Sequence, residues 1–413
     1  MILIKCIDND ILIQNDKIVK ICKRQGQGDG SSALLQRENK TVEPSPCLFD
    51  KPSLCHIIDA TRLVVAPGLV DIHVHFREPG FEYKEDILTG AAAAAAGGVT
   101  TCCCMPNTSP VIDNIETLEY VTEKAKNAAI SVLPIGAVTI GQKGDKLTDF
   151  DALKKAGAVA LSDDGMPIKN DEVMRTALLK AKENDILIIS HCEEEEPMVE
   201  RDIKLAEETG SRVHIAHVST AVAVEAIRKA KAKGIKVTAE AAPHHFFLTE
   251  EAVAKKGTLA KMSPPLRKQE DVESIIHGLI DGTIDAIATD HAPHSVKEKQ
   301  LPYHEAPNGI IGLESLLAVT LTSLYHTGKL NLAEIIKLIS TNPSEILTLD
   351  AGKLEEGSLA DIVIFDPDEE WIVNSLKFMS KARNTPFGGM KLRGKVKYTI
   401  SRGRLVYKDN NIN

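Results

Sequence analysis

LVDIHVHF, at residues 69–76, is the first of eight short apolar runs that follow one another between Leu69 and Pro293. Continuous apolar runs are typical of strands buried on both faces of a sheet. The other seven are VTTCCCMPN at 99–107, ISVLPIGAVT at 130–139, GAVALSDDG at 157–165, ILIISHCE at 186–193, RVHIAHVST at 212–220, IKVTAEAAPHH at 235–245 and IDAIATDHAPH at 284–294.

Segments of helical composition lie between most of these runs. They are rich in Ala, Leu, Glu and Lys, which favour helices, and several end on Gly. The clearest are EDILTGAAAAAAGG, NIETLEYVTEKAKN, DEVMRTALLKAKEN, AVAVEAIRKAKAKG and LRKQEDVESIIHGLIDG. Eight alternating β and α units predict an α/β protein with a closed TIM-type (β/α)8 barrel at 66–351.

Both ends of the chain have a different pattern, with short Val- and Ile-rich runs separated by Gly, Asp and Asn. Examples are ILIKC, DKIVKI, DIVIFD, YTISRG and RLVYK. We expect residues 1–65 and 352–413 to pair into one small β-sandwich domain beside the barrel. The polar stretch at 24–51 predicts an exposed insertion.

The composition excludes some classes of partner. The 49 Lys and Arg against 58 Asp and Glu give a formal charge of -9, which opposes binding to nucleic acid or anionic lipid. The sequence also contains no apolar stretch near the ~20 residues that span a bilayer and no signal-peptide pattern at its start, so we expect a cytoplasmic protein.

Several apolar runs end on side chains that bind metals. In a TIM-type barrel the carboxyl ends of the strands carry the functional groups. His73 and His75 alternate at the end of the first run, so both point to one side of the strand. The other runs of this kind end in Asp163 and Asp164, His191, His217 and Asp290. Histidine and carboxylate ligands without a CxxC pair indicate a catalytic zinc site.

Eight motifs resemble the class I dihydroorotases of the amidohydrolase superfamily, and together they span most of the chain. They are DIHVHFREPG at 71–80, MPNT at 105–108, SDDG at 162–165, HCE at 191–193, HVST at 217–220, ATDHAPH at 288–294, GSLADIVIFDP at 357–367 and NTPFGG at 384–389. The resemblance implies a hydrolase of cyclic amide C–N bonds that interconverts (S)-dihydroorotate and N-carbamoyl-L-aspartate in pyrimidine biosynthesis.

The same resemblance implies two zinc ions per subunit, bridged by Asp164 and a hydroxide. His73, His75 and Asp290 would bind one ion, and His191 and His217 the other. Asp164 stands where hydantoinases carry a carboxylated lysine. Asp290 would also be the catalytic base, transferring a proton from the attacking oxygen to the leaving nitrogen.

Six further residues are implied to contact the substrate. Arg77, Asn107 and His294 would hold its carboxylate, for which Arg offers a two-pronged donor. Ser263 stands where the family usually has Asn, and Asn308 where it usually has Phe before Gly309; Asn308 and Gly309 would then act through their backbones. The segment from His294 to Gly309 is the expected mobile loop.

Three questions remain open at the level of sequence. The substrate could instead be that of an allantoinase or hydantoinase, which share barrel and metals but need no carboxylate clamp. An inactive homologue that scaffolds aspartate carbamoyltransferase is another alternative, although such proteins typically lose metal ligands. We expect a homodimer, with association to aspartate carbamoyltransferase as a further possibility.

Overall fold

The computed structural model of the 413-residue chain describes residues 1–6, 9–23 and 56–409. The expected insertion at 24–51 lies outside the described residues. The strands are β1 (Ile2–Lys5), β2 (Asn9–Gln14), β3 (Lys17–Lys23), β4 (His56–Asp59), β5 (Val64–Pro67), β6 (Leu69–Val74), β7 (Val99–Cys104), β8 (Ser131–Pro134), β9 (Ile188–Ser190), β10 (Val213–Ile215), β11 (Val237–Ala241), β12 (Ala286–Ile287), β13 (Ile362–Ile372), β14 (Lys391–Ser401) and β15 (Arg404–Lys408).

Helices follow most of the barrel strands. They are α1 (Ile87–Ala96), α2 (Ile115–Ala125), α3 (Phe150–Ala156), α4 (Asp171–Glu183), α5 (Glu195–Thr209), α6 (Ala221–Ala232), α7 (Glu251–Lys256), α8 (Gln269–Asp281), α9 (Val296–Lys299), α10 (Leu316–Thr320), α11 (Leu332–Ile336) and α12 (Asn342–Ile346). Among the described residues, no helix is both long and apolar enough to cross a membrane.

The barrel is a ring of parallel segments. Strands β6, β7 and β8 form one arc, and β9 to β12 form the other. Leu161 joins the arcs, because it makes parallel bridges to Gly136 after β8 and to Ile188 in β9. A parallel bridge between Val74 and His291 closes the ring. The predicted TIM-type barrel is confirmed, with its fourth strand reduced to the single bridging residue Leu161.

Local sequence signals set the helix boundaries around the ring. Asp86 and Thr89 form a reciprocal capping box at the start of α1, and Thr220 caps α6 by accepting a hydrogen bond from Ala223 N. Gly157 ends α3 in the left-handed conformation. The five segments predicted as helices contain α1, α2, α4, α6 and α8.

The stretch between His191 and His217 contains one helix, α5, of 15 residues. Strands β9 and β10 on either side of it have 3 residues each.

Residues from both ends of the chain share a second hydrophobic cluster. One sheet has the order β3-β2-β1-β4, and the other has the order β15-β14-β13-β5. Ile4, Ile13 and Ile58 from the first pack with Ile362 and Ile400 from the second. Other side chains of β13 and β14, including Val363 and Val396, pack in the barrel core instead. The division into a barrel at 66–351 and a composite β domain from both ends stays a prediction.

Candidate active site

Six buried side chains converge at the carboxyl ends of the barrel strands. They are the residues predicted as metal ligands: His73, His75, Asp164, His191, His217 and Asp290. The apolar strands that precede them are held in the barrel core, so their last residues project into one shared space. The fold therefore brings together all six, which lie up to 217 positions apart in the sequence.

Asp164 lies at the centre of this cluster. Its Oδ1 is 3.4 Å from His73 Nε2, 3.2 Å from His191 Nδ1 and 3.6 Å from His217 Nε2. Its Oδ2 is 3.4 Å from His75 Nε2. One carboxylate thus faces four histidines from three strand ends.

Asp290 faces the two histidines of the first strand. Its Oδ1 lies 3.1 Å from His75 Nε2 and 3.6 Å from His73 Nε2. Within the described part of the chain, two groups have ligand atoms close enough to hold an ion: His73, Asp164 and His217, and His73, His75 and Asp290. His191 is outside both groups, although its Nδ1 is 2.8 Å from His217 Nε2.

The polar atoms at the centre fit a metal ion. His73 Nε2 and Asp164 Oδ1 are buried and make no hydrogen bond with any described residue. Buried polar atoms are almost always paired, so converging lone pairs without donors indicate a place for a cation. Burial alone would raise the pKa values of Asp164 and Asp290, but the surrounding histidines hold both well below their usual range. Both carboxylates are therefore ionised, as ligands must be.

Glu240 is a residue of this site that the sequence reasoning missed. It lies in β11, and its Oε1 accepts a hydrogen bond of 2.6 Å from His73 Nδ1. Its Oε2 lies 3.3 Å from His214 Nε2. This bond orients the His73 ring so that Nε2 faces Asp164 Oδ1 at 3.4 Å. A carboxylate among the small apolar residues at the end of the run IKVTAEAA was the available signal.

The two adjacent aspartates of SDDG have different roles. Asp163 Oδ1 accepts hydrogen bonds from Val138 N at 2.8 Å and Thr139 N at 3.1 Å, and Oδ2 accepts one from the Thr139 hydroxyl. Asp163 therefore anchors the chain after β8, whereas Asp164 faces the histidines. Asp71 is similarly structural, because it accepts bonds from the backbone and hydroxyl of Thr289.

Arg77, His294 and Asn107 lie at the rim of the cluster. Arg77 Nε donates to Pro293 O at 3.2 Å, and Arg77 Nη2 is 3.4 Å from His294 Nε2. Asn107 Oδ1 accepts from His75 Nδ1 at 2.8 Å, and its Nδ2 is 3.4 Å from Asp164 Oδ2. Burial, with Arg77 and Lys84 nearby, lowers the pKa of His294 to about 3, so this ring is neutral.

The remaining three predicted substrate contacts lie on loops. Gly309 is buried with φ +127, its N–H donates to Lys261 O at 3.0 Å, and its carbonyl accepts from Lys299 Nζ at 3.0 Å. Asn308 is exposed, and its carbonyl lies 2.7 Å from His294 Nε2. Ser263 is half-buried and precedes Pro264, whose carbonyl lies 3.1 Å from His245 Nε2. The predicted substrate roles of these three residues stay predictions.

Comparison with known proteins agrees with this architecture. The Amidohydrolase family model matches residues 64–406. A dihydroorotase from Clostridioides difficile is 47% identical over 425 residues, which cover 96% of this chain and 99% of the relative. A dihydroorotase from Ruminiclostridium cellulolyticum is 48% identical over 382 residues, covering 86% of this chain and 89% of the relative.

Among solved structures, the L-hydantoinase (dihydropyrimidinase) from Arthrobacter aurescens superposes with a TM-score of 0.84 at 23% identity, covering 100% of this chain and 97% of its own. A D-hydantoinase from Thermus sp. gives a TM-score of 0.81 at 22% identity, covering 100% and 96%. At this level of identity the likeness establishes a common fold.

Proposed function

We propose that this chain, which belongs to the amidohydrolase family, is a dihydroorotase that interconverts dihydroorotate and N-carbamoyl-L-aspartate in pyrimidine biosynthesis. Curated relatives of that name at 47–48% identity support the substrate. The structural observation that carries the proposal is a buried His and Asp cluster with Arg77 and His294 at its rim. A metal-ligating centre beside a guanidinium suits a cyclic amide that bears a carboxylate.

The metal centre is the first part of the proposal. Two zinc ions per subunit would be held by His73, His75, Asp164, His191, His217 and Asp290. Such ions lower the pKa of water and polarise a carbonyl group. Asp164 is suited to serve both ions, because its carboxylate lies 3.2 to 3.6 Å from histidines of both proposed ligand sets. With Asp164 at this position, the proposed centre needs no carboxylated lysine to bind both ions.

The chain's own residues would then carry out binding and proton transfer. Arg77, Asn107 and His294 hold the substrate carboxylate at the rim, and this contact directs the ring amide toward the cluster. Asp290 is ionised, so its carboxylate can accept the proton of the water that adds to the ring carbonyl carbon. As the C–N bond breaks, Asp290 returns that proton to the departing nitrogen. The reverse sequence closes the ring.

The proposal is tested by assaying the purified protein with dihydroorotate, hydantoin and allantoin, alongside an elemental count of metal per chain. Turnover of dihydroorotate with about two zinc ions per chain is the expected result, since paired metal sites carry this type of hydrolysis. Turnover of hydantoin or allantoin alone would show that the chain is a different cyclic amidohydrolase. Metal-free, inactive protein would favour the scaffold alternative.

Replacing Asp290 tests the proton-transfer role. We expect Asp290→Ala to lower kcat in both directions by about 10²–10⁴-fold, the usual contribution of a general acid–base group. Asp151→Ala, which removes an exposed carboxylate from the first turn of α3, is the matched control and should leave kcat unchanged. Turnover of Asp290→Ala near the wild-type rate would contradict the assignment.

The assembly and location of the protein also belong to the proposal. We expect a cytoplasmic homodimer that can associate with an aspartate carbamoyltransferase. Light scattering of the purified chain, alone and mixed with the transferase of the same organism, distinguishes monomer, dimer and mixed complex.

A further inference from the structure

Asn384 begins the NTPFGG motif, which the predicted catalytic roles leave unexplained. It lies between β13 and β14, outside the ring of barrel strands, and its side chain is 2% exposed. Despite this distance along the chain, the side chain reaches the loops that follow the last barrel strand. A buried amide at such a place must satisfy one acceptor and two donors.

All of these hydrogen-bonding groups have partners on two loop segments. Asn384 Oδ1 accepts from His294 N at 3.1 Å. Its Nδ2 donates to Ala292 O at 3.1 Å and to Gly309 O at 3.0 Å. The backbone of Asn384 adds a fourth link, because its carbonyl accepts from Ile311 N at 2.9 Å. The amide therefore fastens the start of the 294–309 segment to its end.

The two fastened segments carry predicted contacts to the substrate. His294 lies 3.4 Å from Arg77 Nη2, and its Nε2 lies 2.7 Å from Asn308 O. The Lys84 ammonium is a donor and faces His294 Nδ1 at 3.4 Å, so Nδ1 accepts and the proton of the neutral ring lies on Nε2. Nε2–H then donates a hydrogen bond to Asn308 O. The two segments are tightly packed, because a Cβ on Gly309 would lie 2.7 Å from Ala292 Cβ.

We propose that Asn384 is a positioning residue for the carboxylate end of the substrate site, because its side chain fixes the separation between His294 and Gly309. The inference rests on the proposed function. Asn384 acts through its neighbours, so its loss should weaken recognition of the acid more than the chemical step. Misplacement by about 1 Å of groups that orient a substrate is enough to lower catalytic efficiency by about 10²-fold.

The chain offers a matched pair of substitutions. Asn384→Asp keeps the shape but replaces the two N–H donors with an oxygen that faces the carbonyls of Ala292 and Gly309. Asn384→Ser is neutral and removes most of the bridge. Asn374→Asp makes the same chemical change at an exposed residue, whose side chain accepts a local hydrogen bond from Leu376 N at 3.1 Å. Thermal melting would check that each variant is folded.

The measurements are kcat and KM for dihydroorotate and the inhibition constant of orotate, a planar acid of the same ring system. Both Asn384 variants should raise KM and the inhibition constant by at least about tenfold with kcat within about threefold, the pattern of lost binding. Asn374→Asp should match wild type. A lower kcat with unchanged KM, or wild-type values throughout, would overturn the inference alone. Wild-type protein without dihydroorotate turnover would overturn the proposed function and this inference together.

Discussion

At the scale of single residues, the orientation of His73 depends on a carboxylate behind it. Glu240 accepts a hydrogen bond from His73 Nδ1 at 2.6 Å and faces His214 Nε2 at 3.3 Å. Burial alone would raise the pKa of Glu240, but His73 and His214 lower it to about 2. A carboxylate behind a ligand histidine fixes the ring tautomer and strengthens its hold on a metal.

Replacing this carboxylate should therefore weaken metal binding. We expect Glu240→Gln to lower metal affinity by about 10–100-fold, the usual effect of losing such a partner. Competition with a chromogenic chelator gives the affinity, and Glu119→Gln on the exposed face of α2 is the control. Wild-type affinity in Glu240→Gln would show that His73 is oriented by other contacts.

At the scale of elements, Glu195 joins two helices beside the site. It lies in the first turn of α5, and its Oε1 accepts from Ser219 N and from Thr220 N, both at 2.8 Å. Thr220 is also the N-cap of α6. The starts of α5 and α6 are thus tied together just after His191 and His217.

Removal of this side chain should destabilise the fold. Glu195→Ala leaves two buried N–H groups without their acceptor, so we expect the free energy of unfolding to fall by about 3 kcal/mol. Its neighbour Glu196 is exposed, and Glu196→Ala should change stability by no more than about 0.5 kcal/mol. Urea unfolding compares the two variants, and equal losses would argue against the tie.

A second carboxylate supports the segment before β14. Glu314 Oε1 accepts from Met379 N at 2.8 Å and from Ser380 N at 3.2 Å. Burial raises the pKa of Glu314 to about 7, against the lowering effect of these bonds. The folded protein therefore binds a proton at Glu314 that the unfolded chain releases above its ordinary value of 4.5.

This difference makes stability depend on pH. Its contribution is fully present below the unfolded pKa and is lost as the pH rises through about 7. Glu314→Gln keeps the acceptor oxygen without the charge, so its Tm should match wild type at acidic pH and exceed it by a few degrees at alkaline pH. Melting curves at the two pH values test the sign, and parallel pH profiles would contradict it.

At the scale of the whole molecule, the proposed metal centre connects the two arcs of the barrel. Its six ligands come from segments on both arcs of the ring, including the point where Val74 and His291 close it. Bound metal stabilises the folded state by an amount set by its affinity, about 2.7 kcal/mol at a free concentration 100-fold above Kd. We expect chelation to abolish activity and lower Tm by several degrees.

Adding zinc to the chelated protein should restore both its activity and its Tm. Magnesium at the same concentration is the control, because His ligands favour zinc over this harder ion. An unchanged Tm after complete metal removal would show that the ligand cluster is rigid without metal. Unchanged activity would contradict the metal-dependent mechanism.

The sequence by itself determined the eightfold alternation of strands and helices and the types of side chain at the strand ends. These features follow from local patterns: apolar runs specify buried strands, and helix formers specify the segments between them. The family motifs could also be recognised in their order along the chain. The barrel and the family therefore follow from local patterns and motifs, whereas the bridges of Leu161 and Val74 that close the ring belong to the fold.

The tertiary structure alone decided which residues support the site. The family resemblance indicated Asp164 of SDDG as a ligand, but only the fold shows that Asp163 anchors the chain after β8. In the acidic run after His191, Glu195 is buried and Glu196 is exposed. Glu240 and Asn384 acquire their partners from segments far along the chain. The residue types and their spacing do not reveal the roles of these side chains. The direction and partner of each side chain depend on what the fold places opposite it.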